Sequence, residues 1–482
     1  MKHWNRWAAP VAMALALTGS APAWAQGTGG QVIYVSAGGS DQSGTGSKAA
    51  PFASIGKAVA VAQSGDTIIV EPGTYAGMVT VTKSITLESD PSIPDAVSST
   101  ILDAAGSANG ILLQGGGASG STIRGLTVEH AQQAGILAVG PMTGLEISGN
   151  VVANNDQGFV ANDAKAPFDG HCSAMPGGDC EALHLMGVSD SRIVDNVVRD
   201  NLDGGIYLTD ETGPAARNVV LGNDVEDNQV DCGITLASHN PKGSADPSAA
   251  GVYDNVVAGN RSQGNGAAGV VLATPLPGGA VYGNTVTGNT FANNSQGGVV
   301  FHTHSPGAMV ADNAVIGNTI TGNGADPDPG VSKPVGISIA GMGSPITGLL
   351  VSGNRLDQEY YGIWVENAPD AQIHGNTFSN AVALPYTSAI PIPPATSPDR
   401  SGPTVVWQLT HHPVGYWGPN LIPLQQAADL LLQTPGLPSL WDLTHHPVGY
   451  FGASLIAAQR AAVLLWEAGI HSFSQVGPVP QG

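Results

Sequence analysis

His184 and Tyr207 occupy the same place in two successive copies of a short motif, ALHL (182–185) and GIYL (205–208). A neutral histidine is a suitable base near pH 7, and a tyrosine hydroxyl a suitable acid, so the pair is equipped for proton abstraction and return. Acids flank them. Asp156, Glu181, Asp203 and Asp231 stand just before such motifs, and Asp163, Asp210, Glu211 and His239 just after. Two of these carboxyls could instead serve as the acid and base of glycoside hydrolysis, which needs a separation of roughly 5–10 Å. Asp156, Glu181, Asp203 and Asp231 together offer the oxygen ligands that Ca²⁺ takes. The plain alternative for Asp203 and Asp231 is turn capping, since each lies shortly before a Gly.

The elements that must position these residues are repeats. Gly–apolar–x–apolar recurs as GILL (110–113), GILA (135–138), GFVA (158–161), GIYL (205–208), GITL (233–236), GVVL (269–272), GVVF (298–301), GISI (336–339) and GIWV (362–365), with ALHL filling one slot. Alternation of apolar and variable residues predicts strands. A floor of about 23 residues between starts, with longer gaps, predicts a fixed coil carrying loop insertions. A second apolar pair ending in Asn follows most copies (ISGN 147–150, IVDN 193–196, VLGN 220–223, VYDN 252–255, VYGN 281–284, VADN 310–313, VSGN 351–354, IHGN 373–376). Asn in register on stacked coils predicts a hydrogen-bonded ladder. A further Asn often follows five residues on, as at Asn201, Asn228, Asn260, Asn289 and Asn318.

These coils resemble the right-handed parallel β-helix family, which includes pectate lyases, polygalacturonases, alginate epimerases and NosD-type periplasmic proteins. The opening stretch ending in GDTIIVEPGTY (65–75) looks like the first coil of secreted members, and the resemblance spans roughly residues 31–380. It implies an all-β solenoid, with FASIGKAVAVAQ (52–63) as an N-terminal helical cap. For the epimerases and some lyases of this fold it implies a base and acid at C5 of a uronic acid. The polygalacturonase motifs NTD, GHG and RIK do not occur.

Adjacent coils stack about 4.8 Å apart, so residues in one register form rows on the surface. The first row reads Leu112, Leu137, Val160, His184, Tyr207, Thr235, Val271, Val300, Ser338, Trp364. The second reads Gln114, Val139, Asn162, Met186, Thr209, Ala237, Ala273, His302, Ala340, Glu366. Their polar middle gives the expected site: catalytic His184, Tyr207, Asp203 and Asp231, with substrate contacts from Asn162, Asp163, Glu181, Thr209, Asp210, Thr235, His239 and His302. The insertion KAPFDGHCSAMPGGDC (165–180) opens onto this patch as a wall. Cys172 and Cys180, which bracket its Gly/Pro-rich part, are the expected disulfide among three cysteines, leaving Cys232 over. His302 and His304 form H-x-H on one strand and can share a ligand. The central rows hold no Lys or Arg, so neutralising a substrate carboxylate calls for Ca²⁺.

Composition narrows the partners. Lys+Arg 16 against Asp+Glu 37 gives a net charge of −21, which argues against nucleic acid and anionic membranes. Residues 1–25 read as a signal peptide: Lys2 and Arg6, an apolar stretch at 8–18, and Ala23-Trp24-Ala25 as cleavage site. No segment has transmembrane length, so the mature chain is expected in the periplasm or outside the cell. The β-helix is expected over 26–383, a Pro-rich linker over 384–404 and a mostly helical module over 405–482. In that module WQLTHHPVGYWG (407–418) recurs as WDLTHHPVGYFG (441–452). Its pairs His411-His412 and His445-His446 lack zinc spacing and read as structural. The expected function is binding, with cleavage or epimerisation, of a polysaccharide on the outer face. The alternatives are a non-catalytic adhesion rod with a partner-binding repeat, and a NosD-like periplasmic accessory protein.

Overall fold

The computed structural model describes residues 30–163, 166–172 and 180–388. Short strands of Val, Ile, Leu and Thr, each ended by a turn, stack into three long parallel sheets. Sheet 1 has twelve strands, from Val32–Val35 to Gln372–His374. Sheet 2 has eleven, from Val79–Val81 to Leu384–Ser388, and sheet 3 has eleven, from Gly73–Ala76 to Thr377–Phe378. One coil runs Leu183–Ser189 in sheet 2, Arg192–Val194 in sheet 1, Val197–Arg199 in sheet 3, then back to sheet 2 at Ile206–Thr209. Parallel crossovers of this kind are right-handed, and the chain folds as a right-handed parallel β-helix. The core fills the coil interior. Leu183, Leu185, Ile206, Leu208, Ile234 and Leu236 all lie in it with no measurable exposure or 1%. The helix Ile55–Val61 is N-capped by Ser54, whose hydroxyl accepts from the Lys57 amide. It buries Ile55, Ala58 and Val59 against the first strands of sheets 1 and 2. The last strand, Leu384–Ser388, pairs with Tyr361–Glu366 and carries the solenoid into the stretch that sequence composition marked as linker. The signal peptide, most of that linker and the THHPVGY repeats lie outside the described residues.

Two expectations about register are corrected. GFVA (158–161) is not a rung. Ile136–Thr143 pairs directly with Leu183–Ser189, placing Leu137 opposite His184. Phe159–Asp163 leaves the coil and pairs antiparallel with Ala166–Cys172. Val160, expected in the row, is accordingly 55% exposed. Its apolar alternation suits any half-buried strand, so the motif alone does not distinguish rung from hairpin.

The asparagines form three ladders rather than one. Asn150, Asn196, Asn223, Asn260, Asn289, Asn318, Asn354 and Asn376 are linked by Nδ2–H···Oδ1 bonds of 2.9–3.0 Å. A second ladder runs from Asn155 through Asn201, Asn228, Asn265 and Asn294 to Asn323. Asn255, Asn284 and Asn313 belong to a third, headed by Asn218. The reason is an extra five-stranded sheet, from Ala215–Ala216 to Ile346–Thr347. It repeats the apolar-pair-then-Asn pattern once more per coil. The residue before a ladder Asn adopts a left-handed turn (φ 67° at Gly222, 54° at Asp195). That is why these motifs read GN or DN.

The second ladder ends on a carboxyl. Glu359 Oε1 accepts from Asn323 N (3.0 Å) and Nδ2 (2.9 Å), and the side chain is buried. Burial pushes its pKa up to about 7, against the pull of the two Asn323 bonds. A carboxyl raised in the folded state favours folding below its unfolded pKa, and that contribution is lost as pH rises toward 7. Glu359→Gln keeps the acceptor and removes the charge. It is expected to match the parent near pH 4.5 and to exceed it at pH 8 by up to roughly 3 kcal/mol. Urea unfolding at the two pH values checks this, and a pH-independent difference would refute it.

Candidate functional site

Successive strands of sheet 2 bring the polar rows together as the repeat spacing required. The register is His184 opposite Tyr207, Tyr207 opposite Thr235, and Met186 opposite Thr209. These side chains leave the coil on its outer side, since their alternates fill the core. They are nonetheless covered: His184 is 1% exposed, Tyr207 5%, Thr209 0% and Thr235 5%. The open outer face expected from sequence is therefore a buried polar cluster.

Its centre is a three-residue chain. Glu211 Oε1 lies 2.8 Å from His239 Nδ1, and His239 Nε2 lies 3.1 Å from the Tyr207 hydroxyl. A carboxylate only accepts, so Nδ1 carries the proton. Nε2 of the neutral imidazole then accepts from the phenol. Glu211 holds its carboxyl below the usual range. Burial pushes upward but is outweighed by the hydrogen bonds from His239 and Thr209 and by the neighbouring imidazoles. His239 and Glu211 are the accessible end, with side chains 16% and 12% exposed. The His184 ring lies 4.8 Å from that of Tyr207 and its Nε2 lies 2.9 Å from Thr209 Oγ1. Burial brings its pKa down to about 4, so it is neutral at pH 7.

Asp210 does other work. Its Oδ1 accepts from the amides of His239 (2.7 Å) and Asn240 (3.1 Å), and its Oδ2 from Ser238 Oγ and the Gly251 amide, both 2.7 Å. It thereby fixes both ends of the 238–251 loop and seats His239 over Tyr207. Burial, with the charge of Glu211, raises its pKa against the bonds from Ser238, Gly251 and His239.

At the N-terminal ends of the same strands, Glu181, Asp203 and Asp231 have carboxylate oxygens all within 4.8 Å of one another. Glu181 is 1% exposed and Asp203 4%. Asp156 is fully buried, with its pKa pushed well above normal by burial and by the charge of Asp203. Cys180 is disulfide-bonded and Cys232 is a free, buried thiol. The side chains of Asn162, Asp163 and Cys172 lie outside the described residues.

His302 stands apart from this centre, three coils further on. Its Nε2 lies 2.9 Å from Asp326 Oδ2 and its Nδ1 3.3 Å from Asp328 Oδ2, while His304 Nε2 lies 3.8 Å from the same Asp328 oxygen. Burial opposes charging of His302, but Asp326 and Asp328 together carry its pKa up to about 9. The structure thus joins Tyr207, His239 and Glu211, keeps His184 and Thr209 beside them, and separates His302. The Glu211–His239 contact had a sequence signal. Each stands four residues after a row residue, Tyr207 and Thr235, that pair across adjacent coils.

A family model described as periplasmic copper-binding protein (NosD) matches residues 62–333, more than half of the chain. A search of curated proteins finds no match. Among solved structures, pectate lyase Pel9A is 17% identical over 75% of this chain and 82% of its own, with TM-score 0.50. The A-module of the mannuronan C-5 epimerase AlgE4 from Azotobacter vinelandii is 14% identical over 68% and 89%, with TM-score 0.35. At 17% identity the likeness to the pectate lyase concerns the fold. No helix among the described residues is long and apolar enough to cross a membrane.

Proposed function

This chain belongs to the NosD family, and from the chemistry of its polar cluster we propose that it is an exported β-helix protein acting on an acidic polysaccharide, with Tyr207 as its proton-transfer group. The observation that carries the reading is the Glu211–His239–Tyr207 chain, with its links of 2.8 and 3.1 Å. His239 takes the phenolic proton on Nε2, and Glu211 stabilises the imidazolium that forms. The Tyr207 oxygen then accepts the proton from C5 of a uronic acid. Expulsion of the C4 oxygen, which takes up a proton from Tyr207 or solvent, gives an unsaturated sugar, whereas delivery of a solvent proton to the opposite face of C5 gives the epimer. A Tyr–His–carboxylate chain suits proton abstraction better than glycoside hydrolysis, which needs two carboxyls on either side of the bond.

Glu181, Asp203 and Asp231 are better suited to hold a hard cation. Three oxygens this close repel one another unless protonated or bridged, and Ca²⁺ takes such ligands. Placed there, the cation offers an anionic polymer the positive charge that these rows lack.

The test is a panel of uronate and neutral polysaccharides incubated with the exported protein and Ca²⁺. Ultraviolet absorbance reads unsaturated products, NMR reads epimerisation and a reducing-end assay reads hydrolysis. Unsaturation or epimerisation of a uronate polymer is the expected result. Hydrolysis of a neutral polymer, or no change in any, would overturn the proposal. Calcium chelation is expected to lower the activity at least about tenfold, with restoration by Ca²⁺; unchanged rates after chelation would remove the cation from the scheme.

A further inference from the structure

We infer that His302, His304 and Asp328 are the ligands of one divalent first-row transition-metal ion of the Cu²⁺/Zn²⁺ class, with Asp326 orienting His302 from behind. The inference does not depend on the proton-transfer reading. His302 lies three coils from the Tyr207 rung, about 14 Å along the solenoid.

The geometry is that of a metal centre. His302 and His304 are two residues apart on an extended segment, so both side chains leave on the same face. Val299–Thr303 is the strand that carries His302. Asp326 and Asp328 come from the loop after Thr319–Thr321, closed by a bridge between Ala325 and Pro334. His302, His304 and Asp328 each offer one ligand atom within 4.8 Å of the others, and His302 Nδ1 and His304 Nε2 are the ring nitrogens beside Asp328. Bonds of about 2.0–2.1 Å in a tetrahedral site put ligand atoms about 3.3–3.4 Å apart. The distances from the Asp328 oxygen, 3.3 Å to His302 Nδ1 and 3.8 Å to His304 Nε2, sit at or just above that value.

The other face of His302 is what distinguishes a centre from a surface ion pair. Asp326 is fully buried and its Oδ2 takes Nε2 of His302 at 2.9 Å. Metal-bound histidines characteristically donate their second ring N–H to such a carboxylate, which fixes the tautomer and turns the lone pair of the other nitrogen toward the metal. Here Nδ1 faces Asp328 at 3.3 Å, where a metal ion would take the place of the proton. Two acceptors at 3.3 Å repel unless a proton or a cation lies between them. His304 Nε2 supplies a third donor to the same point.

Two imidazoles and a carboxylate suit Cu²⁺ and Zn²⁺. The absence of thiolate or thioether from the three ligands disfavours Cu⁺. The copper named in the family description therefore has a donor set here that fits its divalent form. Three protein ligands leave at least one position open. His304 and Asp328 are exposed, so that position faces solvent, as an exchangeable or carried ion requires.

The test is Cu²⁺ added to the full chain, read by EPR and by pulsed methods that count coordinated imidazoles, with Zn²⁺ as competitor. We expect one site with two imidazoles, displaced by Zn²⁺. His304→Ala should reduce the count to one. Asp328→Asn should weaken binding with both imidazoles retained. Neither residue is buried, so neither variant threatens the fold. Asp326→Asn should weaken Cu²⁺ binding about 10–100-fold with the imidazole count unchanged. A variant with His411, His412, His445 and His446 all replaced by Ala should keep the two-imidazole signal. A signal unchanged in His304→Ala, or lost in the four-histidine variant, would overturn the assignment.

Discussion

Tyr207→Phe is expected to lower turnover on the active polysaccharide by about 10²–10⁴-fold, the usual contribution of a proton-transfer group. Phenylalanine keeps the ring that packs 4.8 Å from His184, so KM should move little and far-UV circular dichroism not at all. His239→Ala should lose activity to a similar extent, because the imidazole that takes the phenolic proton is gone. Glu211→Gln should fall between these variants and the parent. Glutamine can still accept from Nδ1–H, but it no longer stabilises the imidazolium. His184→Ala is expected to behave differently. His184 is neutral at pH 7, its Nε2 is engaged with Thr209, and it is 1% exposed. Its removal leaves a cavity beside Tyr207 and should lower stability more than turnover. If Tyr207→Phe retains full activity while His184→Ala loses it, the roles are reversed and the base is the one the sequence pointed to first.

That contrast marks how far the sequence could be read. The coil, the outward rows and the pairing of His184 with Tyr207 follow from a two-residue alternation and a repeat of nearly constant length, both written in the chain. Exposure does not follow. Alternation tells whether a side chain leaves the coil, and it is silent on what folds over the outside. Here Asp210 pins both ends of the 238–251 loop, and the loop brings His239 onto Tyr207. The same limit explains the hairpin at 159–172, whose first strand carries a rung-like motif but pairs with the insertion after it. Asp210 was expected to contact substrate because it is an acid beside the row. Four donors converging on one carboxylate are invisible until the loop's path is known. The triad of Glu181, Asp203 and Asp231 was more legible, because each stands shortly before its strand and strand register alone brings the three side by side.

The largest stability effect is expected in the asparagine ladder, from Asn223→Ala. Asn223 Nδ2 donates to Ile193 O and Asn260 Oδ1, both 2.9 Å, and its Oδ1 accepts from Asn196 N and Nδ2, both 2.9 Å. The site is 1% exposed, so water cannot replace these partners freely. An orphaned buried group costs about 1–3 kcal/mol. Loss of partners for a carbonyl and a backbone amide, with one of two bonds lost at each of two side-chain amides, should therefore total about 4 kcal/mol, tempered by local relaxation. Asn376 makes the same contacts at the end of the ladder. It donates to Val351 O and accepts from Asn354 N and Nδ2, but it is only partly buried. Solvent can take over there, and Asn376→Ala should cost about 1 kcal/mol. Urea unfolding of both variants, followed by circular dichroism and by tryptophan fluorescence, measures the difference. Coils couple chiefly to their neighbours, so Asn223→Ala should also split the two probes, as the solenoid unfolds from the weakened rung. Equal losses in the two variants would mean that the ladder contributes by local turn geometry alone and that its continuity from coil to coil adds nothing.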